Sequence, residues 1–151
     1  LVWGVDSSFD VMTPPAIARG DRGLPLSRYS TGNNGRVVNV YGGKGRMPHT
    51  WGTHVINGGI PQLGNVSEHI WYYKRDLAAL IPDVNYSGYC LLDFEHWRAD
   101  WNSTGPSFRT KSLNLTNGDV ELAQSQYETA AKTFMLATIA ATREVRPGGL
   151  V

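Results

Sequence analysis

The spacing of apolar positions changes several times along the chain, and each change marks an element. Leu1-Val2-Trp3-Gly4-Val5 is a short apolar run that predicts a first strand, and Thr13-Pro14-Pro15 and the Gly-, Arg- and Pro-rich stretch to Pro25 predict a loop. Arg36-Val37-Val38-Asn39-Val40-Tyr41 is β-branched and stops at Gly42-Gly43, which is strand composition. After the turn-forming Gly58-Gly59-Ile60-Pro61-Gln62 the period lengthens: Ile70, Tyr73, Leu77 and Leu80/Ile81 recur at three and four. A helix is expected there, with its N-cap at Ser67, Val66 stapled to Trp71, and a stop at Pro82. Tyr89-Cys90-Leu91-Leu92, preceded by Gly88, is an unbroken apolar run without helical spacing and reads as a buried strand.

Ala99 to Asn117 is polar and irregular, and an exposed loop is expected. From Asp119 a long helix is expected, on which Val120, Ala123, Tyr127, Ala130, Phe134, Ala137, Ala141 and Val145 share one face while Glu121, Gln124, Glu128 and Lys132 take others. Arg143 and Arg146 complement the dipole at its C-terminal end, and Pro147-Gly148-Gly149 closes it before a new apolar start at Leu150-Val151. Strand, strand, helix, strand, long helix and a further apolar start describe an α/β chain with parallel strands.

With 151 residues, 41% hydrophobic and 18% charged, the chain is long enough for one domain with its own core. A formal net charge of +1 provides no field that would select nucleic acid as a partner. Arg19, Arg22, Arg28, Arg36, Lys44 and Arg46 do gather in the first third, which suits either a polyanion or an ordinary solvated surface. Cys90 is the only cysteine and sits inside a strand, where a buried inert thiol is expected. Asn65, Asn85, Asn102 and Asn114 each head an Asn-X-Ser/Thr acceptor pattern, which argues for the secretory route, ending outside the cell or in the lysosome. No apolar run approaches the ~20 residues of a membrane span, and Leu1 opens no signal peptide, so a mature or trimmed secreted chain is expected. Gly42-Gly43-Lys44-Gly45 lacks the spacing of a phosphate loop, and His49, His54, His69 and His96 lack metal-ligand spacing; no cofactor and no metal is called for.

The chemistry concentrates at Asp93 and Glu95, which follow the apolar run directly. If the strand continues through them, their side chains share one face with Cα atoms roughly 6.5–7 Å apart. Neighbouring carboxylates disfavour joint ionisation in a sheltered site, and the proton so retained serves general acid catalysis. A solvated loop with two incidental acids is the plain alternative for an isolated D-x-E.

The residues around that pair carry more. Asp93-Phe94-Glu95-x-Trp97-Arg98 after an apolar strand resembles the signature of the hyaluronidase family, the glycoside hydrolases of venoms, sperm and lysosomes. Asn57-Gly58-Gly59-Ile60-Pro61-Gln62 is similar to a second family segment, and Val38-Asn39-Val40-Tyr41 with Met47-Pro48 is similar to a third. The resemblance covers roughly residues 36–150; before that, Trp3-Gly4-Val5-Asp6 keeps only a tryptophan and a valine of the family's opening, without its nearby cysteine. It implies that residues 1–151 are the first part of a catalytic domain, the N-terminal half of a distorted TIM-type barrel in a truncated chain whose next strand starts at Leu150. It further implies retaining, substrate-assisted endo-hydrolysis of hyaluronan or chondroitin. Glu95 would be the general acid and base, and Asp93 would orient the substrate's acetamido group. Tyr41 would contact that group, and Arg98 would pair with the acid or tune it. The alternative is a secreted relative that binds or organises glycosaminoglycan without cutting it. Oligomeric state is left open.

Overall fold

The computed structural model describes residues 37–41 and 43–151. The expected strand at Leu1–Val5, the loop to Pro25, Arg19, Arg22, Arg28 and the strand start at Arg36 lie outside the described residues. Within them the order is β1 (Val37–Tyr41), β2 (His49–Trp51), β3 (His54–Ile56), a 3-10 turn at Pro61–Leu63, α1 (Val66–Leu80), β4 (Tyr89–Asp93), α2 (Pro106–Leu115) and α3 (Val120–Val145).

β1 and β4 are parallel, with Val37 opposite Tyr89 and Tyr41 opposite Asp93. Parallel neighbours need a long crossover, and α1 supplies it. Beyond α3 the Leu150 N–H donates to the Gly88 carbonyl at 2.9 Å, and the Leu150 carbonyl accepts from the Cys90 N–H at 2.7 Å. These bonds make an isolated parallel bridge between Leu150 and Tyr89, at the apolar start expected there.

Alternation along β1 separates two faces. Val38 and Val40 are buried, while Asn39 and Tyr41 are exposed. Val38 and Val40 join Cys90, Tyr73, Leu77, Ile81, Tyr86 and Ala141 in a core cluster between sheet and helices. Each such aliphatic side chain contributes roughly 1.5–3 kcal/mol on burial. Burial also raises the Cys90 pKa, so the thiol stays protonated and inert. A second cluster, with Met47, Ile60, Trp97, Trp101, Phe108, Tyr127 and Phe134, fills the space between the loops after β1 and β4 and the helices α2 and α3.

α1 starts earlier than its expected cap. Asn65, not Ser67, is the N-cap, its Oδ1 accepting the Glu68 N–H at 3.0 Å. Asparagine and serine are about equally good caps, so the sequence pattern leaves that choice to the tertiary contacts. Val66 turns into the second cluster, and Trp71 lies exposed against Tyr72, so the expected staple does not form. The stripe itself holds: Tyr73, Leu77 and Ile81 are buried, and Ile70 and Leu80 pack against them.

The loop expected over Ala99–Asn117 contains α2. Gly105 caps it and Pro106 takes its first position, where a missing N–H costs nothing. Its buried residues are Phe108 and Ser112, so the helix leaves little apolar period in the sequence.

On α3 the buried face runs through Ala123, Tyr127, Ala131, Phe134, Thr138, Ala141 and Thr142. Val120 is exposed, and Ala130 and Ala137 are only half-buried. Thr138 and Thr142 replace apolar residues because each directs its hydroxyl proton to the carbonyl one turn back, at 2.7 and 2.9 Å. Their oxygens then accept from α1. His69 Nε2 lies 3.0 Å from Thr138 Oγ1 and the Tyr73 hydroxyl 2.8 Å from Thr142 Oγ1. The Arg46 N–H donates to His69 Nδ1 at 2.9 Å, so the ring's own proton resides on Nε2. Gly45 makes that approach feasible, since a Cβ there would lie 2.6 Å from the His69 ring and its φ is +74°.

Arg146 also differs from expectation. It is buried, and instead of only ending α3 it closes α1, donating from Nε to the Ile81 carbonyl at 2.7 Å and from a terminal nitrogen to Ala78. α1 has no basic residue in its own last turn, and Arg146 supplies that charge from the other helix.

Candidate active site

On β1, Asn39 and Tyr41 are two apart and share the face turned away from the core. β4 presents Asp93 on that face, directly opposite Tyr41. Asn39 Nδ2 donates to Asp93 Oδ2 at 3.2 Å, and the Tyr41 hydroxyl donates to Glu95 Oε2. One pair of alternating side chains on β1 thus reaches both acids. β4 ends at Asp93, so Glu95 stands two residues past the strand, and Tyr41 orients it instead of the sheet ladder.

Tyr41 is 52% exposed and Glu95 is exposed, so this polar group opens to solvent at the C-terminal ends of parallel strands. The hydrogen bond to Glu95, then the negative charge of Glu95, holds the Tyr41 phenol above its ordinary pKa. The phenol therefore remains a donor through the neutral range.

The turn carrying Glu95 is clamped from its other side. The Trp97 indole is buried, and its N–H donates to the Pro48 carbonyl at 2.8 Å. Beside it, the His96 ring stacks on His49, with centroids 4.2 Å apart and planes within 13°. Burial first, and the neighbouring His49 second, lower the His96 pKa, with Glu95 acting against them.

The Asn57-Gly58-Gly59 segment holds this clamp. Asn57 Nδ2 donates to the Met47 carbonyl at 3.0 Å, and His49 Nδ1 lies 3.0 Å from the same oxygen. Asn57 and Gly58 have φ of 50° and 92°, and a Cβ on Gly58 would lie 2.2 Å from the Leu63 carbonyl oxygen. Only glycine fits there. The glycine motif thus fixes residues 47–49, which in turn hold Trp97 and His96.

Of the residues named from sequence, the structure brings Tyr41, Asp93 and Glu95 together. Arg98 stands apart from both carboxylates in its contacts: its guanidinium donates to the Phe94 carbonyl at 3.4 Å, and among the described residues the ion pairs are Lys74–Glu144 and Arg75–Asp76. Asn39, His49 and His96 were not singled out. For Asn39 a signal existed, since a lone amide on the non-core phase of a β-branched strand has no packing reason to be there. His49 and His96 carried none, because their contact joins residues 47 apart in sequence. The acceptor asparagines Asn65, Asn85, Asn102 and Asn114 are all exposed.

A family model described as Hyaluronidase matches residues 41–151. The chain is 33% identical over 118 residues to a hyaluronidase of Crotalus adamanteus, an alignment covering 70% of this chain and 26% of that protein. It is 32% identical over 103 residues to a chondroitin hydrolase of Caenorhabditis elegans, covering 60% and 22% respectively. The crystal structure of bee venom hyaluronidase superposes with a TM-score of 0.71 at 24% identity, over 88% of this chain and 48% of that one. The same protein in complex with a hyaluronic acid tetramer gives a TM-score of 0.68 at 25% identity, over 76% and 41%. The chain therefore spans about a quarter of the length of these curated relatives and under half of the bee venom chain. The likeness shows the fold: the β/α units described above are part of a TIM-type barrel, in which strand ends of this polarity carry the chemistry.

Proposed function

This chain belongs to the hyaluronidase family of glycoside hydrolases, and from that premise we propose that it forms the N-terminal part of a catalytic barrel that cleaves hyaluronan internally, with chondroitin as a second substrate. The observation that carries the proposal is the pairing of Asn39 with Asp93 and of Tyr41 with Glu95 at one open strand end.

Two carboxylates on opposite sides of a scissile bond can divide into acid and nucleophile, but Asp93 ends β4 and Glu95 follows two residues later at the same strand end, so both approach a sugar from one side. An N-acetylated sugar provides its own nucleophile. Its acetamido oxygen attacks the anomeric carbon as the glycosidic C–O bond breaks, and Glu95 gives its proton to the departing oxygen. Glu95, now a carboxylate, takes a proton from water as that water opens the cyclic intermediate, so configuration is retained. Asp93, held by Asn39, orients the acetamido N–H and stabilises its developing positive charge. Tyr41 occupies one oxygen of Glu95, leaves the other for the glycosidic oxygen, and donates to the acetamido group as substrate displaces it. Arg98, on the same turn, binds the anionic polymer, not the acid. The mechanism calls for no metal and no cofactor. Exposed acceptor asparagines support glycosylation at Asn65, Asn85, Asn102 and Asn114 and an extracellular location.

A reducing-end assay on the full-length protein tests the proposal. Hyaluronan is shortened with retained anomeric configuration, and Glu95→Gln lowers the rate by at least roughly 10²–10⁴-fold. Polymer that binds but is never shortened would assign the chain to glycosaminoglycan binding instead.

A further inference from the structure

The β2–β3 hairpin makes no appearance in the mechanism above, yet it is joined to the acid-bearing turn. In its antiparallel register His49 is opposite Ile56 and Trp51 is opposite His54. Residues that face each other across an antiparallel pair, and residues two apart on one strand, lie on the same side. His49, Trp51 and His54 therefore share one face of the hairpin. The other face, with Thr50 and Val55, packs over Gly59, where a Cβ would lie 3.6 and 3.0 Å from their methyl groups and 3.8 Å from Lys111 Nζ.

The direction of the first face is set by the stacking of His49 on His96, the residue next to Glu95. Two positions further along the strand, the Trp51 indole is 70% exposed. His54 beside it is exposed as well. The face thus runs from the candidate acid outward, through an imidazole pair to an open indole and another imidazole. His96 joins this face to the acid-bearing turn, and Lys111 Nζ lies by Gly59 on the far face.

We propose that this hairpin face is a substrate-binding arm of the same site: Trp51 stacks on a sugar ring of the polysaccharide, and His54, opposite it, donates a hydrogen bond to the carboxylate of the adjoining uronic acid. Two features favour that ligand: the face is continuous with the acid site through the His49–His96 stack, and an exposed indole beside an exposed imidazole matches a sugar ring's apolar face and polar rim. The inference rests on the hyaluronan reading given above, and it adds a surface that captures the polymer beside the acid.

Binding of a hyaluronan hexasaccharide to the full-length Glu95→Gln protein, measured by calorimetry, tests the arm apart from hydrolysis. Trp51→Ala is expected to weaken binding roughly tenfold, Trp51→Phe to recover most of it, and the exposed Trp71→Ala on α1 to change nothing. His54→Ala is expected to weaken binding roughly threefold; an unchanged affinity would remove the imidazole from the proposal. Hexasaccharide that binds Trp51→Ala as tightly as the parent, or that does not bind the parent at all, overturns it. With Glu95 intact, undiminished kcat/KM in Trp51→Ala sinks the arm and leaves the hydrolase standing. Polymer held through Trp51 but never cut does the reverse.

Discussion

The two sides of the β1–β4 sheet use similar polar residues for opposite ends. Behind the sheet, His69, Tyr73, Thr138 and Thr142 are fully or almost fully buried, and each is satisfied by a neighbour across the α1–α3 interface. In front, Asn39, Tyr41, Asp93 and Glu95 pair just as specifically but remain open to water. Burial behind the sheet drives the His69 pKa down to about 4 and the Tyr73 pKa up to about 12, which silences both. A polar group sealed with its partner stabilises and specifies packing, whereas the same kind of group left open can exchange protons with a ligand.

Substitutions on the two sides should therefore separate activity from stability. The largest expected effect is in front: Asp93→Asn lowers the hydrolysis rate of the full-length protein by roughly 10²–10³-fold through lost stabilisation of developing charge. Its urea midpoint stays where it was, because Asp93 covers no core. A comparable loss of stability would break the contrast.

Arg146→Met sharpens the contrast from behind. It removes the donors that close α1 at Ala78 and Ile81 and leaves buried carbonyls bare, an expected loss of about 3 kcal/mol in urea unfolding. Catalytic rate per folded molecule should not change.

His69 ties the interface to pH. The folded pKa of about 4 lies below the ordinary 6.5, so below pH 6.5 the unfolded chain takes up the proton first. Stability from this group is complete above pH 6.5, falls as pH drops toward 4, and changes no further below that, for a total of roughly 3 kcal/mol. Unfolding measured across that window should lose this part of its slope in His69→Gln, and an identical slope would refute the assignment.

The smallest effect belongs to Tyr41→Phe. Deleting one exposed hydroxyl should leave stability within about 0.5 kcal/mol. The rate should fall about tenfold, because Glu95 loses the donor that orients it.

Legibility in the sequence followed the same division. α1 and α3 are readable because each repeats its apolar residues at the helical period, β1 and β4 because a β-branched stretch and an unbroken apolar run are strand composition, and Leu150 bonds where the next apolar run starts. α2 was hidden, since a helix that buries Phe108 and Ser112 and little else carries almost no period. Thr138 and Thr142 lie outside any apolar pattern, yet a threonine bonded to its own helix can sit in a core. Asp93, Glu95 and Tyr41 were legible through the motifs they belong to, while Asn39, His49 and His96 surfaced only as contacts.

What this amino-acid order determined alone was local: which segments are strands or helices, which faces are apolar, where a tight turn needs glycine, and that two acids follow an apolar run, of which Cys90 is the buried residue. Those properties depend on residues a few positions apart, whose geometry the backbone imposes. Tertiary structure decided which acid meets Asn39 and which meets Tyr41, that Arg146 closes a helix other than its own, and that His49 reaches His96. Each of these joins residues tens of positions apart, and only the parallel register of β1 on β4 and the seating of α1 on α3 bring them within a hydrogen bond or a stacked ring of one another.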